Sequence, residues 1–202
     1  MSNTKKKLIT TIFAMAVIIA SFVYGTVAYF TDSVTSTNSV IATGSAKASV
    51  SDVTFAEGSS VPLPSDAAID VLPGASYTKS VSATNTGSYP IYVRGKIDCK
   101  ITLSEKNAGR EDEIDYSLVI PEIDAENWIF HDGYYYYKES IRNGETTTSL
   151  VNSISFSTDM DNMYKSSKVY FKVRIEIVQA NNNGTNAFDA VGWPTDSQGG
   201  DA

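Results

Sequence analysis

Two stretches alternate apolar and polar residues with strict period two, and they restrict the fold more than any other feature of the chain. Between residues 91 and 103, Ile91, Val93, Gly95, Ile97, Cys99, Ile101 and Leu103 fall on one face, with Tyr92, Arg94, Lys96, Asp98, Lys100 and Thr102 on the other. Between residues 169 and 177, Val169, Phe171, Val173, Ile175 and Ile177 alternate with Tyr170, Lys172, Arg174 and Glu176. Successive side chains of a strand point to opposite faces, so each stretch predicts a strand with one dry and one wet face. Long strands wetted on one side belong to antiparallel sheets.

Shorter strands are expected at residues 39–50, 76–85, 116–120, 128–131, 134–138 and 150–157. Turn signals separate them: Pro73-Gly74, Asn85-Thr86-Gly87-Ser88, Asp132-Gly133 and Asn143-Gly144. Asp132-Gly133 predicts a tight hairpin, because glycine accepts a positive φ freely. The charged residues 105–115 predict an exposed loop with a helical turn. The expected fold is all-β: an antiparallel β-sandwich, jelly-roll-like, after an N-terminal signal helix.

Lys5, Lys6 and Lys7 precede an uncharged, mainly apolar run that lasts until Asp32. A basic start, an apolar segment and small residues before a cut define a secretory signal peptide. Thr26-Val27-Ala28 places the cut between Ala28 and Tyr29. The competing reading is a retained membrane anchor, since about 20 apolar residues span a bilayer. The expected organisation is a signal peptide at 1–28, a sandwich domain at 29–194 and a flexible tail at 195–202, with Phe188, Val191 and Trp193 docking back on the domain.

Chemistry-bearing motifs are sparse. The chain has one histidine, His131, and one cysteine, Cys99. A zinc hydrolase needs several ligands and a nearby base, and a Ser-His-Asp triad would have to use His131 without a nucleophile elbow. Beside Asp132-Gly133, His131 is expected to have a turn role or to be plainly exposed. Cys99, on an inward strand face, is expected to be a buried, inert thiol. Glu111, Asp112, Glu113 and Asp115, and the pair Asp159 and Asp161, lack the spacing and glycine of an EF-hand and are expected to be solvated. No catalytic residue, metal or cofactor is assigned. A net charge of −7 disfavours nucleic acid as a partner. Tyr134–Tyr137 is the most unusual local run. Trp128, Tyr135 and Tyr137 form a candidate aromatic contact surface for carbohydrate or a neighbouring subunit, set against plain cross-strand packing.

Tyr29-Phe30-Thr31-Asp32, directly after the apolar run, resembles the mature start of the TasA/camelysin family of exported Gram-positive proteins. Asn38-Ser39-Val40-Ile41-Ala42-Thr43-Gly44 resembles the family's first strand. Leu72-Pro73-Gly74 through Asn85-Thr86-Gly87-Ser88 to Tyr92-Val93-Arg94 resembles a second family block. Trp128 through the tyrosine run to Gly144-Glu145-Thr146-Thr147 resembles related exported proteins of clostridial type. The resemblance implies export through a SipW-type signal peptidase and a jelly-roll subunit of biofilm matrix fibres. It also implies that residues 29–50, once freed, act as a donor strand completing a neighbour's sheet, set against an ordinary edge strand of a monomer. The metalloprotease label attached to the camelysin branch finds no HExxH motif here. A surface module binding glycan or protein is the alternative.

Overall fold

The computed structural model describes the backbone of residues 40–42, and residues 46–63 and 67–194 in full. The signal helix, the Ala28/Tyr29 cut and the tail lie outside the described residues. Two sheets face each other. The first runs β1 (Val40–Ala42), β11 (Lys168–Gln179), β6 (Ile91–Thr102), β9 (Tyr134–Tyr137), β8 (Trp128–His131), with β4 (Ile69–Asp70) also on β11. The second runs β3 (Pro62–Leu63), β2 (Ala48–Ala56), β5 (Ser76–Asn85), β10 (Val151–Phe156), β7 (Val119–Ile123). Every pairing among these strands is antiparallel except β1 on β11. The all-β antiparallel sandwich expected from the alternation is the fold found.

The two strongly alternating stretches pair with each other. Their ladder runs from Lys168 opposite Thr102 to Gln179 opposite Ile91. Val93, Ile101, Val169, Ile175 and Ile177 from this ladder meet Val81, Ala83, Leu150, Ile154 and Phe156 of the facing sheet in one core. Gly95 lets the layers close up: a Cβ there would lie 2.5 Å from Leu150 Cδ2 and 3.4 Å from Ile175 Cδ1.

The turn motifs have structural work. Asn85 is fully buried; its Nδ2 donates to the carbonyls of Tyr89 (2.8 Å) and Ile141 (2.9 Å), and its Oδ1 accepts from Gly87 N (2.8 Å). One amide thereby fixes the crossing from β5 to β6. Asp132 (φ 48°) and Gly133 (φ 81°) join β8 to β9, the two positive φ values that a tight hairpin needs.

Several expectations are corrected. Residues 39–50 are not one strand: β1 lies in the first sheet, and residues 48–50 open β2 in the second. Residues 116–118 form a 310 turn, and the strand follows at Val119–Ile123. The wet face of the long ladder is wet only in part. Tyr92, Arg94 and Glu176 are buried, because Ala187, Ala190 and Trp193 of the C-terminal segment pack over them. Strands β3 and β4, two residues each, carry no periodic signal.

Candidate interaction surfaces

The edge of β11 away from β6 holds two short strands. β4 pairs antiparallel at Lys168 and Val169; β1 pairs parallel at Ile175, Glu176 and Ile177. Between them, no described strand pairs with residues 170–174 on that edge. β1 is the described part of the candidate donor segment in this sheet. Residues 29–39 and 43–45 of that segment lie outside the described residues. A strand at a sheet edge is held by backbone hydrogen bonds, which any extended segment supplies equally well.

The opposite edge of this sheet is β8, whose pairing runs from Trp128–Tyr137 to His131–Tyr134. The expected aromatic contact surface is corrected here. Trp128 is only 2% exposed and packs edge-on against Tyr137 with ring centroids 5.1 Å apart. Tyr135 and Tyr137 are half-buried against the main core. What β8 does show solvent is Phe130, 61% exposed and 4.9 Å from the Tyr135 ring, together with Ile129 and His131. The residues facing the other way, Tyr134 and Tyr136, join the C-terminal cluster. His131 is an aromatic spacer, 5.4 Å from Phe188 and 6.4 Å from Tyr136 between ring centroids.

Sequence reasoning missed two buried ion pairs. Arg94 Nε donates to Glu176 Oε2 at 2.7 Å, Nη1 to the Tyr136 hydroxyl at 3.1 Å, and Nη2 to the Pro194 carbonyl at 2.9 Å. Its guanidinium lies 3.7 Å from the Tyr134 ring centre and 4.6 Å from that of Trp193. Planar charge, a carboxylate and stacked rings satisfy an arginine that would be costly to bury bare. The docking of Trp193 and Phe188 follows the sequence expectation, the Phe188 ring lying 4.9 Å from that of Tyr136, whereas Val191 stays exposed. In the second sheet, Lys79 is 2% exposed; its Nζ meets Asp52 Oδ1 at 2.5 Å and Thr54 Oγ1 at 3.1 Å. It shares the inward face of β5 with Val81 and Ala83. The only advance signal was Lys79 sitting where period two places a core residue.

The remaining candidates are structural. Cys99 is half-buried, and burial pushes its thiol up to about 11, far from the range of a nucleophile. In the acidic run, Glu113 pairs with Arg110, whose hydrogen bond holds its carboxyl below the ordinary range. Asp115 accepts from Ser117 N and Oγ and is lowered by those bonds. Asp161 accepts from Met163 N at the start of a 310 turn. Among the described residues no group of three or more His, Cys, Asp or Glu is placed to hold a metal ion. No protein-family model, curated protein or solved structure matches the chain.

Proposed function

We propose that this chain is a secreted structural protein of the cell surface or extracellular matrix, which assembles into fibres by exchanging its N-terminal strand. The observation that carries the reading is β1, three residues laid parallel on the edge of β11 in an otherwise antiparallel fold. Its bonds to β11 are made by backbone, so the same strand from a second copy replaces it without new chemistry. A head-to-tail contact of that kind does not close on itself and propagates as a filament. Release of the segment by cleavage after Ala28, through a SipW-type peptidase, would hold assembly back until export.

The test is electron microscopy of the processed chain against a variant lacking residues 29–42. The expected outcome is fibres from the first and folded monomers from the second, with a synthetic peptide of residues 29–42 binding the truncated protein. Equal fibres from both proteins, or none from either at any concentration, would refute the reading. A surface module is the second reading, favoured by the exposed Phe130 ring on Tyr135. Phe130→Ala abolishing adhesion to glycan arrays while fibres remain absent would favour it.

A further inference from the structure

The outer faces of β6 and β11 gather cations on a chain whose net charge is −7. Along β11 the outward residues are Lys168, Tyr170, Lys172 and Arg174; along β6 they are Lys96, Asp98 and Lys100. The register sets Tyr170 opposite Lys100, Lys172 opposite Asp98, and Arg174 opposite Lys96. Asp98 is the facing carboxylate among them, and Asp70 pairs with Lys168 at the rim. Lys100, Lys168, Tyr170 and Lys172 are exposed. Neighbouring strands lie about 4.8 Å apart and same-face residues about 6.7 Å apart, so these charges form a flat lattice. Arg174 and Lys96, set opposite each other, lie at the less exposed end of the lattice, where Lys96 Nζ is 5.4 Å from the Tyr134 ring centre. Arg174 Nε lies 3.3 Å from Glu176 Oε1.

We propose that this face binds a linear acidic polysaccharide, uronate carboxylates meeting the lattice of lysines and a sugar ring lying on Tyr170. Tyr170 is 46% exposed in the middle of the cations. A flat aromatic ring amid cations suits a sugar's apolar face with charges on either side. Single-stranded nucleic acid is less well served, because its binders offer successive rings for successive bases and this lattice offers one exposed ring. Duplex DNA, with about one charge per 1.7 Å, would also meet the strongest repulsion from the acidic remainder of the chain. The acidic loop of a second copy is a poorer partner, since Glu111, Glu113 and Asp115 are already engaged by Gly109 N, Arg110 and Ser117. The proposal does not depend on strand exchange.

The test titrates the full chain with polygalacturonate at low and high salt, with neutral dextran and oligo(dT) as comparators. Saturable binding to polygalacturonate is expected, weakening by roughly tenfold or more as salt rises through counterion release. The double variant K100Q/K172Q should lose most of that affinity. The charge-matched K106Q/R142Q, off this face, should keep it. Y170A should weaken binding while leaving the salt slope unchanged. Circular dichroism of each variant confirms folding, and removal of residues 29–42 should leave binding intact. Equal losses in the two double variants, equal binding of dextran, or no binding would overturn the proposal. So would tighter binding of oligo(dT), or self-association that K100Q/K172Q abolishes.

Discussion

Arg94 and Lys79 are strand cations that the fold buries, and each depends on partners from distant parts of the chain. Arg94 reaches Glu176 across the ladder and Pro194 at the end of the domain. Removing it takes from Glu176, 2% exposed, the guanidinium whose Nε lies 2.7 Å from its carboxylate. Arg94→Ala should therefore destabilise by about 3–5 kcal/mol in urea unfolding, whereas Arg94→Met with Glu176→Leu should cost far less, because the buried charge goes too. Cys99 gives a pH test. The folded thiol keeps its proton to about 11, while the unfolded thiol releases it near the ordinary 9.0. Between these values the native state binds more protons, so stability is full below pH 9 and falls as pH rises toward 11. Thermal melts from pH 8 to 11 should fall more steeply for the wild type than for Cys99→Ala.

At the level of elements, two glycine substitutions separate two physical causes. Gly95→Ala drives a Cβ to 2.5 Å from Leu150 Cδ2 and should cost about 1–3 kcal/mol by overpacking. Gly133→Ala meets nothing within 4 Å and should cost about 1–2 kcal/mol through its positive φ alone. Leu150→Ala, itself costly at a fully buried site, should couple with the first and not the second: G95A/L150A should lose less than the sum of its single variants, whereas G133A/L150A should lose the sum, as measured by denaturation midpoints. The same elements mark what periodicity can tell. Residues 91–103 and 169–177 announced β6 and β11 because burial on one face imposes period two. That period is blind to a later segment folding over the other face, which is why Tyr92, Arg94 and Glu176 looked wet. Only residues 187–193, some hundred positions downstream of Arg94, decide their burial. β2 was hidden for the opposite reason, since its inward face carries Asp52 and Thr54 to meet Lys79. Trp128 was misplaced because an aromatic in a short hairpin reads the same whether it faces core or solvent.

Across the whole molecule, the sheets differ in how their edges are guarded. β3 contains Pro62 and β7 contains Pro121 with Glu122, residues that discourage further pairing. β8 has neither, and shows Ile129 and Phe130 to solvent. Phe130→Lys should therefore reduce concentration-dependent light scattering while costing no more than about 1 kcal/mol of unfolding free energy in urea denaturation. β1 differs from every other described strand in orientation. Because it runs alongside β11 in the same direction, its start and the finish of β11 sit at opposite ends of the pair. Tension between the protein's two ends then slides one strand along the other and loads all their bonds together, rather than peeling them one after another. This short joint is therefore stiffest along the line of pull, and easiest to open from the side.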